Sequence, residues 1–138
     1  MKVKQLALEL VENSKITVVG SVNADGYPNV KAMLEPRDRN GLEEFYFSTN
    51  TSSLRVSQFL ENDKACLYFF IDKQFKGIML IGKMEVLHDQ DIKNRLWHTG
   101  DERFYPLGVT DPDYCVLKFV SQAGRFYHNL ETTEFEIS

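Results

Sequence analysis

Residues 26–59, GYPNVKAMLEPRDRNGLEEFYFSTNTSSLRVSQF, hold the transitions that decide the fold. Two β-prone runs, Tyr27–Leu34 and Leu42–Ser48, flank a turn at Asn40-Gly41, and a helix-like run, Ser52–Glu61, follows directly. Asn-Gly reads as a hairpin because both residues tolerate the positive φ of a tight primed turn. Pro28 suits the start of a strand or an edge, where its missing N–H does no harm. The hairpin is expected to set the two strands side by side. Lys31 on the first would then stand near a helix start that carries Thr49, Ser52, Ser53 and Arg55. Free backbone N–H groups and the positive end of the peptide dipole make such a start suitable for a phosphate. The same residues also fit simple capping, with Thr51 or Ser52 as the cap and Arg55 on a solvated face.

Outward from this stretch the pattern is mainly β. Met1–Asn13 places Val3, Leu6, Leu10 and Ala7, Val11 at amphipathic-helix spacing. Ile16–Val22 reads as a buried strand, and Asn23–Gly26 supplies turn chemistry before the next one. Within Ser52–Glu61, Leu54, Phe59 and Leu60 are the expected core residues, with Val56 less clearly so. Ala65–Ile71 and Gly77–His88 read as strands, the second with a bend at Gly82. Asp89–His98 reads as a short helix with Asp89 as N-cap and Asp91 in its first turn. Gly100–Pro112 is a loop. Tyr114–Val120 and Gly124–Asn129 finish the sheet, and Thr133–Ile137 is a candidate edge. Short consecutive strands with few helices imply an antiparallel, barrel-like sheet with flanking helices.

Composition narrows the function classes. The 138 residues carry no internal repeat, low-complexity segment or domain boundary, so a single domain over 1–138 is expected. A net charge of −4 leaves no global basic field, which argues against a general nucleic-acid binder. No apolar run is long enough to cross a bilayer, and the N-terminus lacks a signal-peptide core, so no membrane role and a cytoplasmic location are expected. Cys66 and Cys115 lie in apolar strand-like runs and read as small buried hydrophobes of a reducing compartment. His88, His98 and His128 match no metal-ligand spacing, so no metal is expected. Trp97 reads as packing, and Tyr68-Phe69-Phe70 as strand core with one face available to a dimer interface.

Several segments resemble, in order and spacing, the pyridoxamine 5′-phosphate oxidase-like superfamily of FMN-binding split barrels. They are Gly26–Met33, Phe45–Thr49, Ser53–Val56, the glycine-containing Ile81–Val86 and the late loop Gly108–Pro112. The likeness is greatest to the short general-stress-protein and nitroimidazole-reductase-type members. It implies an α+β, mainly β fold: an antiparallel split barrel of about six strands with flanking helices. It also implies a homodimer with FMN at the subunit interface. Lys31 and Arg55, helped by Ser53, would clamp the phosphate. Lys31, Ala32, Met33 and Leu34, with Ser48 and Thr49, would lie along the ribityl chain and isoalloxazine, and Tyr127 or Phe126 would be the late aromatic.

The resemblance has departures. Authentic pyridoxamine phosphate oxidases end in a basic, His-containing segment, whereas this chain ends in the acidic run 129–138, so the vitamin B6 reaction is not expected. Position 55 is Arg where Lys is common, which keeps the charge and adds fork geometry. Pro36 and Gly77 stand where larger members place polar flavin contacts. The implied activity is electron transfer from NAD(P)H through FMN to a small acceptor, with the cofactor supplying the chemistry and no catalytic acid or base assigned. The alternatives are a flavin-binding stress or sensor module without turnover, or a split barrel that takes haem or a deazaflavin.

Overall fold

An eight-stranded antiparallel sheet carries the fold in a computed structural model that describes residues 2–137. Helix α1 (Lys2–Glu12) precedes β1 (Ile16–Val22), β2 (Pro28–Leu34), β3 (Asp38–Asn40) and β4 (Glu44–Asn50). After α2 (Leu54–Glu61) come β5 (Lys64–Ile71), β6 (Lys76–Leu87), α3 (Gln90–Leu96), β7 (Tyr114–His128) and β8 (Glu131–Glu136). The strand order is β2-β1-β5-β6-β7-β4-β3, with β8 paired to β7 beyond the end of β4. This is the expected α+β split-barrel class, with eight strands rather than six. The two extra strands are short: β3 is three residues and β8 is six.

Two expected strands at the C-terminal end are one. β7 runs unbroken for 15 residues. Its first half pairs with β4 and its second half with β8, while β6 follows it throughout. The register shifts at Ile81/Gly82 against Ser121, a bulge that lets the sheet curl without ending the strand. Gly82 is required there, because a Cβ would stand 2.0 Å from the Val120 carbonyl oxygen.

The turn at Asn40-Gly41 also differs from expectation. Only Gly41 takes positive φ (57°), and a three-residue turn, Gly41–Glu43, joins β3 to β4. Consequently β2 and β4 are not neighbours. β2 pairs with β1 alone, at one end of the sheet order, while β4 lies between β7 and β3 near the other. The earlier turn forms locally: the Asn23 side-chain oxygen accepts from the N–H groups of Asp25 and Tyr27, and Gly26 sits at φ 84°.

Phe45, Phe47, Leu67, Phe69, Ile78, Leu80 and Phe119 fill the core, with Ala7, Leu10 and Val11 of α1 packed on it. Helix α2 turns Val56 and Phe59 inward and leaves Leu54 and Leu60 exposed at 68% and 69%, opposite to the expectation for both leucines, while the less clearly assigned Val56 is core. The helix begins two residues later than expected, and Val56 and Phe59, three apart, define its inward stripe. Of Tyr68-Phe69-Phe70 only Phe69 is core, since successive strand residues alternate faces. Trp97 packs on Tyr105 and Tyr114 in a second apolar cluster with Leu96 and Val116. Cys115 is buried, Cys66 half-buried, and both are free thiols. No helix among the described residues is long and apolar enough to cross a membrane.

Candidate functional site

Curling of the sheet brings β2 and β4 to the two sides of one cleft of about 340 Å³. Their juxtaposition depends on tertiary closure and not on strand pairing. Lys31, Ala32, Met33 and Leu34 line it from β2, and Ser48, Thr49 and Asn50 from β4. Arg55, in the first turn of α2, closes one end, and Arg37, Phe104 and Tyr105 contribute further wall.

The helix start is built by its own residues. Ser53 is the N-cap: its backbone is extended (φ −68°, ψ 150°) and its hydroxyl oxygen accepts from the Val56 N–H at 3.4 Å. Capping is therefore real, on Ser53 rather than Thr51 or Ser52. Ser53 does not line the cleft, and the capping bond leaves its O–H free to donate. Ser52 instead donates through its N–H (2.8 Å) and hydroxyl (3.2 Å) to the Asp113 carboxylate.

Charge in the cleft is unevenly committed. Arg37 forms a two-pronged ion pair with Asp101, at 2.7 and 2.9 Å, and also donates to the Leu96 carbonyl. These bonds raise the Arg37 pKa, and the same pairing holds the buried Asp101 carboxyl below the usual range. Arg55 is different. It enters no ion pair among the described residues, its Nε is buried without a hydrogen-bond partner, and burial lowers its pKa. The buried Ser48 hydroxyl also lacks a partner. A half-buried guanidinium without a counter-ion is costly unless something anionic reaches it. Lys31 stands exposed on β2 and adds a second cation that forms no ion pair among the described residues. The cleft's lining thus holds two cations without an ion pair and an unpartnered hydroxyl, set against one carboxylate, that of Glu35 just past the end of β2.

Other sequence candidates lie elsewhere. Tyr127 sits on β7 opposite Gly77 of β6 and lines no part of the cleft; Phe126 points into the core. His88, His98 and His128 are also outside it, and no cluster of three or more His, Cys, Asp or Glu suited to a metal occurs among the described residues. Sequence reasoning missed Arg37, Phe104 and Tyr105. The only local signal was the adjacent aromatic pair inside an otherwise polar, Gly/Pro/Asp-punctuated loop.

Fold and cleft together define a split-barrel protein of the α+β class with a cleft between β2 and β4. The chain belongs to the pyridoxamine 5′-phosphate oxidase family, whose model matches residues 3–128. It is similar to a protein from Clostridium acetobutylicum related to general stress protein 26 of Bacillus subtilis. Identity is 46%, the match covers 99% of this chain and 95% of that one, and the TM-score is 0.89. General stress protein 26 from Bacillus anthracis shares the fold at 18% identity and TM-score 0.78, over 98% and 100% of the two chains. So does a haem-binding protein from Mycobacterium smegmatis, at 11% identity and TM-score 0.76, over 96% of this chain and 57% of that one. No curated protein matches the chain.

Proposed function

We propose that the cleft binds FMN, with the phosphate held by Lys31 and Arg55 at the start of α2. The observation that carries this is Arg55: a half-buried, unpaired guanidinium beside a helix N-terminus, facing the same cleft as the unpartnered Ser48 hydroxyl. A phosphate would satisfy both cations with charge-assisted bonds, and Arg can meet it bidentately. The ribityl chain and isoalloxazine would lie along Lys31–Leu34 and Ser48–Thr49. Ser53 supports the phosphate end through the helix it caps, and Tyr127 would reach a flavin only from the partner subunit.

A homodimer fits the surface. The outer sheet face exposes Val30 (75%), Leu34 (70%), Phe70 (46%) and Ile81 (43%), with Tyr68 and half-buried Cys66 among them. Monomeric proteins seldom expose so continuous an apolar face. It is separated from the cleft by the single strand β2: Lys31 pairs beside buried Val19, while Ala32 and Leu34 point the other way. A second copy on that face would therefore sit against the cleft.

When bound, FMN supplies two-electron acceptance from a reduced nicotinamide and onward transfer to a small acceptor. This chain's residues bind and orient it. Haem is the weaker occupant: the cleft's lining offers no imidazole or thiolate, and of the other axial ligand types only Met33 and Tyr105, whose phenol burial holds in its neutral form. The visible spectrum of purified protein, before and after titration with FMN, tests the assignment. A flavin band at ~450 nm that shifts and quenches on binding supports it. A Soret band, or no binding of FMN at all, would sink it. NAD(P)H oxidation across a panel of acceptors separates an oxidoreductase from a flavin-binding module: a module turns over sluggishly with every acceptor.

A further inference from the structure

Asp113 lies at the entry to β7, outside the cleft's lining, yet it ties down the segment from which α2 begins. One carboxylate oxygen accepts from the Ser52 N–H at 2.8 Å. The other accepts from the Asn50 side-chain amide at 2.9 Å and the Ser52 hydroxyl at 3.2 Å. Its main-chain carbonyl accepts from the Thr51 N–H at 2.7 Å, and the neighbouring Pro112 carbonyl from the Thr51 hydroxyl at 3.3 Å. Residues 50–52 are thus held mainly from the turn before β7, more than 60 positions later, and the Asn50 amide also donates to the Phe104 carbonyl at 3.4 Å. These donors, the Asn50 amide foremost, hold the Asp113 carboxyl below the usual aspartate range, so it is ionised at neutral pH.

The remaining amides follow from this. Asp113 takes the Ser52 N–H, the Asn50 carbonyl takes that of Ser53, and the Ser53 hydroxyl takes that of Val56. Leu54 and Arg55, in the helix's first turn, have no intrahelical acceptor, and among the described residues neither donates outside the helix. Of the two, Arg55 lines the cleft, with its buried, unpartnered Nε.

We propose that Asp113 is a positioning residue for this site: through Ser52 and Asn50 it sets the start of α2 so that the Arg55 amide and guanidinium meet the phosphate. The role rests on the FMN assignment above. It runs against simple charge, since an anion beside a phosphate site repels the ligand and its removal should, by Coulomb's law alone, tighten binding. The sign of the effect therefore separates positioning from bulk electrostatics.

The test is fluorescence titration of FMN and of riboflavin into wild-type protein and the variants Asp113→Asn, Asp113→Ala and Ser52→Ala, with thermal melts alongside. Asp113→Asn keeps an acceptor for the Ser52 N–H but sets its own amide against that of Asn50. It should raise the FMN Kd several-fold, and Asp113→Ala at least about tenfold, the scale of one lost charge-assisted bond. Riboflavin, which has no phosphate, should change by less than about twofold. Ser52→Ala removes only the 3.2 Å contact and should have a small effect of the same sign, which keeps the test decisive if Asp113→Ala does not fold. FMN binding that is unchanged or tighter in Asp113→Asn overturns the role, as does equal weakening of the two flavins. Wild-type protein that binds riboflavin and FMN alike refutes the phosphate site itself, a result visible before any variant is made.

Discussion

Replacing Arg55 with alanine probes the cleft most directly. The side chain carries a guanidinium whose Nε is buried without a partner and whose pKa is lowered by burial. Bonds to a charged group contribute about 1.5–3 kcal/mol each. At 1.4 kcal/mol per factor of ten, one such bond to the phosphate corresponds to a roughly 10- to 150-fold rise in the FMN Kd. Stability should move differently. No ion pair is broken in the ligand-free protein, and an uncompensated desolvation is relieved, so the ligand-free melting temperature should hold steady or rise slightly. Flavin fluorescence quenching at fixed ionic strength gives the affinities, and riboflavin is the control because it shares every contact except those to the phosphate. Arg55→Lys should fall between wild type and alanine, keeping the charge and losing the fork. Equal loss of affinity for FMN and riboflavin would refute the assigned role, and a large drop in ligand-free stability would show that Arg55 is structural.

Three further perturbations test the surrounding architecture. Asp101→Asn or Arg37→Ala leaves the other partner of a largely buried pair uncompensated, so urea unfolding should show a loss of about 3 kcal/mol. The same pair makes stability pH-dependent. The Asp101 carboxyl is held below its unfolded value, so its contribution is complete above about pH 4 and is lost as pH falls through the folded pKa; Asp101→Asn should flatten that part of the profile. Gly82→Ala drives a Cβ into the Val120 carbonyl at the β6–β7 bulge and should cost at least about 1–3 kcal/mol, read as a lower melting temperature; an unchanged melt would mean that the bulge relaxes freely. The double variant Tyr68→Glu, Phe70→Glu puts charge on the exposed sheet face. Sedimentation should then find a monomer with weakened FMN binding, whereas a dimer of unchanged affinity would place the subunit contact elsewhere.

Local chemistry was legible where neighbours in sequence are neighbours in space. The Asn23–Gly26 turn, the α1 stripe and the serine cap before α2 all follow from contacts within a few residues, although the cap fell on Ser53 and not on either serine-threonine neighbour first considered. The phasing of α2 did not follow, because Leu54, Val56, Phe59 and Leu60 are equally apolar and only the underlying sheet selects which two are covered. The extent of the last long strand did not follow for a similar reason. Whether Tyr114–His128 is one strand or two depends on β6 continuing beside it across a bulge, and nothing between Ser121 and Ala123 declares that.

The cleft divides along the same line. Lys31, Thr49 and Arg55 were identifiable from residue type and from the helix start they surround, and Ser48 from the family resemblance. The sequence alone thus determined which groups are available to meet an anion. That they meet was decided by the fold, since β2 and β4 approach through closure of the sheet and not through the hairpin that sequence suggested. Arg37 with Asp101, and Asn50 and Ser52 with Asp113, are pairs separated by 61 to 64 positions. Their contacts depend on strand order and register, which are properties of the whole sheet. A residue's side chain fixes what it can bond to, while the global balance of burial and pairing determines what stands within its reach.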